Sequence, residues 1–357
     1  MRSTDIPSGL LAAFEDGMVI PAMPLALRAD RSFDERRQRA LVRYYVDAGA
    51  GGIAVGVHST QFEIRDPDVG LLEPVLSLAS EAADEWSRRS GRPFLKIAGC
   101  SGSTDQAVKE AELAGTLGYH ACLVSLSGLR DEPVEKLIAH CRAVAAAMPI
   151  IGFYLQPAVG GRVLPHAFWR QFADIENVIG IKMAPFNRYQ TFDVVRGVCE
   201  AGREQDITLY TGNDDNIVID LLTEYRIDVG GAVRGVRIKG GLLGHWGFWT
   251  QKAVELLTEL KGLVAKDADI PPSILTLAAQ ITDANAAVFD PIHDFKGCIP
   301  GIHEILRRQG LFLGTTCLNP AEALSDGQRE EISRVYSAYP HLNDDSFVEK
   351  HLDTWLR

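Results

Sequence analysis

The chain lacks the features that mark nucleic-acid binders, metal clusters and membrane proteins. Lys and Arg number 36 against 47 Asp and Glu, a formal charge of −11 with a pI near 5.3. A nucleic-acid surface needs clustered Lys and Arg, so no nucleic-acid partner is expected. The six cysteines, at 100, 122, 141, 199, 298 and 317, form no CxxC pair and show no metal-ligand spacing. They read as reduced, mostly buried thiols of a cytoplasmic protein. No stretch approaches the roughly 18 apolar residues of a membrane span. The opening MRSTDIPSGLLAAFEDG lacks the apolar core of a signal peptide, so the expectation is a cytoplasmic protein with no membrane partner. A dinucleotide-binding fingerprint is missing too, since PAMPLALRAD follows the first apolar run.

What is present is a regular alternation of short apolar runs and amphipathic segments. With 46% hydrophobic and 23% charged residues, the chain has enough apolar side chains for a sizeable core. Met18 to Pro24 reads as the first strand. Ser32 and Glu35, spaced as a capping box, then open a helix that ends at Gly49 to Gly52. Further strands are expected at 53–57, 94–99, 121–126, 150–155, 178–184, 208–212 and 229–235, with helices between them. Eight strands alternating with helices over about 220 residues is the count of a (β/α)8 TIM barrel. An open doubly wound sheet is the competitor, because periodicity does not report closure. After Gly244 the pattern turns wholly helical, over 249–263, 273–288, 299–308 and 326–338. The expected organisation is a barrel over 1–245 with a helical extension over 246–357 packed on it.

Barrels carry their chemistry at the carboxyl ends of the strands, so strand-end polar residues are the candidates. Val178-Ile179-Gly180-Ile181-Lys182-Met183-Ala184 is an apolar run interrupted by one lysine. Burial lowers a lysine's pKa, and a partly neutral amine can attack a carbonyl to form a Schiff base. A lysine reaching solvent over packed methylenes fits the residues equally well. Lys96 interrupts the third strand in the same way but lies deeper in it. Tyr154, near the end of the fifth strand, offers a phenol for proton transfer, or an aromatic filling the barrel mouth. His58, Ser59 and Thr60 follow the second strand and could relay protons or simply shape a loop. Thr211-Gly212-Asn213-Asp214-Asp215 suits a tight turn aiming backbone N–H groups into a site. The adjacent aspartates alone would also allow a magnesium site. Arg234, Arg237 and Lys239 could hold an anionic group after the eighth strand or form a solvated face.

Four of these pieces together resemble the dihydrodipicolinate synthase and N-acetylneuraminate lyase family of class I aldolase barrels. They are VDAGAGGIAVGV, Gly152-Phe153-Tyr154 with Pro157, Gly180-Ile181-Lys182, and Thr211-Gly212-Asn213-Asp214, in the family's order and spacing. The resemblance implies Lys182 as the imine-forming residue, Tyr154 as the proton shuttle, and His58 or Ser59 completing the relay. It implies Gly212 and Asn213 as orienting groups for a small oxo substrate, no cofactor or metal, and a homodimer or homotetramer. Departures are equally plain. His58-Ser59-Thr60-Gln61 replaces the usual hydroxyl pair followed by Gly-Glu. Val159 stands where synthases place a carboxylate-binding arginine, with Arg162 three residues on and Arg234 as a further anion-holding candidate. The loop Ser127-Gly128-Leu129-Arg130 lacks the tyrosine that synthases lend across a dimer. The expectation is a Schiff-base lyase or aldolase, or a hydratase or dehydratase, outside lysine biosynthesis. A metal-dependent isomerase or hydrolase and an inactive small-molecule-binding homologue are the alternatives.

Overall fold

The computed structural model describes residues 1–357. In chain order the elements are helix α1 (Ser8–Asp16), strand β1 (Val19–Pro21), α2 (Glu35–Ala48), β2 (Gly52–Val55), α3 (Leu72–Ser90), β3 (Leu95–Cys100), α4 (Thr104–Thr116) and β4 (Ala121–Val124). Then come α5 (Val134–Ala147), β5 (Ile150–Leu155), α6 (His166–Ala173), β6 (Val178–Ala184), α7 (Arg188–Glu200), β7 (Thr208–Thr211) and α8 (Ile217–Leu222). A hairpin of β8 (Glu224–Val229) and β9 (Ala232–Leu243) follows. The helices α9 (Thr250–Ala265), α10 (Pro272–Phe289), α11 (Cys298–Arg308), α12 (Gln328–Ala338) and α13 (Asp345–Trp355) complete the chain. Strands β1 to β7 and β9 are the eight that alternate with helices, and the fold is of the (β/α)8 class. No helix is long and apolar enough to cross a membrane.

Two compact units account for the packing: Met1–Met18 with Leu95–Leu242, and Val19–Phe94 with Leu243–Arg357. In the first, β3, β4, β5, β6, β7 and β9 lie side by side and parallel. Strands β3 to β7 are buried along their whole length, as a parallel sheet covered on both faces requires. Phe14 of α1 stacks on Tyr210 at 4.7 Å, and the Tyr210 hydroxyl donates to the Phe14 carbonyl at 2.7 Å. That places α1 against Gly180 and Tyr210 on one sheet face.

In the second unit, the residues just after β1 bridge to β2, with Met23 N donating to Ala54 O at 2.9 Å. Helix α2 packs on α3, α9 and α13. Polar tips of its aromatic and acidic residues fasten them: Asp47 accepts from the Trp86 indole at 2.8 Å and the Trp355 indole at 2.7 Å. The Tyr44 hydroxyl donates to Asp344 at 2.7 Å. The tail helices thus share a unit with the first two strand–helix repeats. The boundary near 245 is where strands stop in the chain.

Three local expectations need correction. The cap of α2 is Asp34, which accepts from Arg37 N, whereas Ser32 is held in a turn by Asp30 through its N–H at 3.0 Å and its hydroxyl at 2.6 Å. Residues 229–235 are not the eighth barrel strand. They form the tip of the β8–β9 hairpin, where Gly230 and Gly231 take φ of 62° and 87°, and the barrel strand is the later part of β9. Helix α13 was not anticipated, although Val348 and Trp355 sit one heptad apart on its buried face.

Candidate active site

Strand β6 delivers Lys182 into a dry setting. The residue is 6% exposed, and its Nζ stands 4.4 Å from the centre of the Phe153 ring on β5. Burial lowers the Lys182 pKa to about 8, and the Asp214 carboxylate works against that shift. An ordinary lysine would be almost fully charged near neutrality, whereas this one keeps a usable neutral fraction. The neighbouring strand makes room: a Cβ on Gly212 would lie 2.7 Å from the Lys182 Cε and 2.8 Å from the Ala184 Cβ. Glycine is therefore required there for the lysine stem to lie flat. Gly212→Ala is expected to slow any amine chemistry at Lys182 by about 100-fold, as displacements near 1 Å do. Rates of borohydride trapping on the two proteins would measure it.

Tyr154 does not share that face. Phe153 pairs with Lys182 and Tyr154 with Met183 across β5 and β6. Successive strand residues point to opposite faces, so Tyr154 is directed away from the lysine. It packs instead on Trp169 of α6 at 5.2 Å, fully buried, with its hydroxyl accepting from Leu164 N at 3.2 Å. Burial pushes its phenol up to about 12. The expected shuttle is thus corrected to a core tyrosine, with Phe153 as the aromatic over the amine. Tyr154→Phe should leave adduct formation on Lys182 within about twofold of the unaltered protein, at the modest stability loss of one hydrogen bond. The rival Lys96 is also excluded by direction. Its Nζ lies near Gly118, after α4, and Lys96 falls on the same outward alternation as Cys100 and Tyr154.

The loop after β7 is held by its own side chains. Gly212 N donates to Met183 O at 2.6 Å, and Asn213 N donates to the Thr211 hydroxyl at 3.1 Å. The Asn213 carboxamide takes Phe186 N at 3.1 Å and donates to Asp220 at 2.9 Å. These groups were expected to orient substrate, but their hydrogen-bonding capacity is engaged within the protein. Asp220, unexposed, is the hub. It accepts from the Thr211 hydroxyl at 2.6 Å, Asn213, Asn216 at 2.7 Å and Arg188 at 3.2 Å. Phe186 reaches Asn213 in a left-handed conformation, φ 52°, so one network fixes the loops after both β6 and β7. Sequence reading passed over Asp220, a lone carboxylate in an apolar helix, IVIDLL, which was the available signal.

Both arginine candidates have other work. Arg162 donates to the carbonyls of Leu129 at 2.9 Å and Glu132 at 2.7 Å, clipping the loop after β4. Arg234 makes a two-pronged contact to Glu204 at 2.8 and 3.0 Å. It precedes Ile238, the partner of Leu209, and so lies toward the opposite strand end from Lys182, which pairs with Tyr210. Its proposed position after the eighth strand followed from the misplaced strand. His58 and Ser59 lie in the second unit, on a 3-10 turn after β2. Thr60 anchors that turn, donating to Met23 O at 2.7 Å and accepting from Gly56 N at 3.0 Å. Asp215 is ion-paired with Arg188 at 3.5 Å, its carboxyl raised chiefly by burial.

Known proteins share this architecture. The solved structure of a prophage protein of the dihydrodipicolinic acid synthase family from E. coli K12, in complex with pyruvate, superposes with a TM-score of 0.69 at 20% identity, covering 90% of this chain and 97% of that one. N-acetylneuraminate lyase from Fusobacterium nucleatum gives 0.69 at 16% identity, covering 92% and 99%. In sequence, a 4-hydroxy-tetrahydrodipicolinate synthase from Alkaliphilus oremlandii is 32% identical over 133 residues, 37% of this chain and 44% of the relative. One from Symbiobacterium thermophilum is 25% identical over 207 residues, 57% and 65% respectively. The matches thus span less than two thirds of the length of these relatives. The model of the dihydrodipicolinate synthetase family matches residues 16–230, more than half of the chain. The chain belongs to the dihydrodipicolinate synthetase family.

Proposed function

We propose that the protein is a Schiff-base lyase or aldolase acting on a small oxo acid or aldehyde. It would cleave or form a carbon–carbon bond, or add or remove water beside the carbonyl. The observation that carries this is Lys182, a buried amine brought to a pKa of about 8 at the carboxyl end of a barrel strand. Its nitrogen attacks the carbonyl carbon, the carbinolamine loses water, and the resulting iminium withdraws electrons from the adjacent bond. No diffusible cofactor or metal takes part. Phe153 lies over the amine, and the Asp214 carboxylate is the charge that favours its protonated form. His58 and Ser59, the relay candidates read from the sequence, are proposed as proton donors for the dehydration step. Val159 at the carboxylate-binding position argues for a role outside lysine biosynthesis, and a homodimer or homotetramer is the assembly we propose.

The metal-dependent alternative draws no support from the two aspartates. Asp214 interacts with Lys182 and Asp215 with Arg188, cations where a metal site would gather further oxygens. A second reading, a small-molecule binder without turnover, is favoured by one feature: the aromatic over Lys182 is a phenylalanine with no proton to give. Borohydride trapping with a panel of 2-oxo acids and aldehydes separates the two. An adduct on Lys182, lost in Lys182→Arg, supports the enzyme. Saturable binding without any adduct, unchanged in Lys182→Arg, supports the binder.

A further inference from the structure

The β8–β9 hairpin stands outside the alternation of strands and helices, and it ends in a free edge. Strand β8 pairs with β9 alone, so the backbone groups on its other side have no ladder partner. The two-residue turn Gly230-Gly231, with both φ positive, makes Val229 and Ala232 a hydrogen-bonded pair. Bonded and non-bonded pairs alternate along an antiparallel ladder. Tyr225, Ile227 and Val229 therefore bond to β9, while Glu224, Arg226 and Asp228 turn their N–H and C=O groups outward. The edge is flanked by exposed apolar surface. Phe192 of α7, 47% exposed, meets the Tyr225 ring at 5.2 Å, and Tyr189, 86% exposed, lies one turn earlier on the same helix.

Free strand edges are commonly guarded by charge of one sign, lysine above all. Here Tyr225 and Ile227 are buried, and the exposed residues between them alternate in sign: Glu224, Arg226, Asp228. Outward groups must meet outward groups, so a two-fold axis relating two β8 edges falls on a residue and not between two. Centred on Ile227, the two strands overlap over Tyr225 to Val229, and Arg226 of each copy faces Asp228 of the other. Centred on Arg226, Glu224 would face Asp228 twice; centred on Asp228, two aspartates would oppose each other. A centre on Tyr225 matches charge but overlaps only from Glu224 to Arg226. Within its own chain Arg226 meets Glu224 at 2.9 Å, and Asp228 Oδ1 accepts from Gly231 N at 2.8 Å. Further guanidinium donors and Asp228 Oδ2 are left for a partner.

We propose that β8 is a two-fold interface at which two copies of this chain join edge to edge, antiparallel about Ile227, into one continuous sheet. The contacts are the backbone ladder, two Arg226–Asp228 pairs, and the cover that the second copy gives Phe192 and Tyr189. This locates the homodimer proposed above and rests on that reading of the assembly, not on the chemistry at Lys182.

The test is sedimentation velocity over a concentration series, on the full chain and on Arg226→Asp and Asp228→Arg, each alone and the two mixed in equal amounts. The unaltered chain is expected to hold an even number of subunits. Each variant alone sets like charges opposite one another at both pairs, and is expected to weaken association at least about tenfold and so to halve the particle mass at the lower concentrations. The mixture restores opposite charges at both pairs and is expected to regain the mass of the unaltered chain. Borohydride trapping on the same samples reports on Lys182 separately. A monomeric unaltered chain overturns both this surface and the assembly reading. Variants that assemble as the unaltered chain does, or a mixture of folded variants that stays dissociated, overturn the surface and leave the assembly reading standing.

Discussion

Lys182→Met is expected to abolish borohydride-trapped adducts and at the same time to stabilise the fold. The lysine is buried, and burial brings its pKa from 10.5 to about 8. A tenfold change in acidity corresponds to about 1.36 kcal/mol, so holding this amine in the folded protein below pH 8 is unfavourable by on the order of 3 kcal/mol. The sign follows from proton binding. Between about 8 and 10.5 the unfolded chain binds more protons at this residue than the folded one, so folding stability rises with pH in that window. Below about 8 the full penalty is present, and above 10.5 it is gone. Methionine fills similar space without a charge, so the variant should unfold several degrees higher at neutral pH and lose its advantage near pH 10.5. Urea or thermal unfolding at neutral, intermediate and high pH checks this. A destabilised variant would mean that Lys182 is held by favourable contacts and is not a nucleophile kept in an unfavourable place.

Asp220→Ala should have the largest effect in the opposite direction. The carboxylate satisfies the Thr211 hydroxyl, the Asn213 and Asn216 amides and the Arg188 guanidinium in a region with no exposure. Each buried donor left without a partner is unfavourable by about 1–3 kcal/mol, and opening a buried charged network by about 3–5 kcal/mol. A loss of about 4 kcal/mol is expected. The half-exposed Arg188 contact contributes least, since exposed pairs are worth little. Trapping at Lys182 should also slow by at least about tenfold, because Gly212 and the loops after β6 and β7 lose their common anchor. Denaturant midpoints and trapping rates on the same preparation measure both. An unchanged midpoint would show that Asp220 does not hold these loops.

The fold was largely legible because its signal is redundant. Buried parallel strands are continuous apolar runs, and eight of them recurred with helices between. The eighth was misplaced because a hairpin strand, Glu224 to Val229, alternates polar and apolar residues while its partner β9 changes character midway, from exposed at Ala232 to buried at Leu242. Periodicity could not say which part of β9 joins the barrel. Lys182 was legible because a lysine in such a run is unfavourable wherever it sits. Tyr154 was misread through a single residue. The spacing from Tyr154 to Lys182, 182 − 154 = 28, equals that of the first pair in the ladder, Ile150 with Val178, 178 − 150 = 28. A bulge that skips Ile179 changes the offset to 180 − 151 = 29 from Ile151 onward and brings Phe153 opposite Lys182. Slipping by one residue exchanges the faces of every later side chain. Nothing in the composition of IIGFYL or VIGIKMA marks that bulge. The arginines failed for another reason: Arg162 and Arg234 meet carbonyls and a carboxylate that come near only through the folding of distant loops.

The central claim is that Lys182 is an amine poised near neutrality for imine formation. The most direct measurement is the pH dependence of borohydride trapping, read as the mass of the peptide containing residue 182, with a 2-oxo acid that forms an adduct. The expected result is a single adduct on Lys182 whose rate rises to half its maximum at about pH 8 and moves lower in Asp214→Asn, where the charge opposing the shift is removed. A half-maximum near 10.5, the value of an ordinary lysine, or an adduct distributed over surface lysines with residue 182 unmodified, would contradict it.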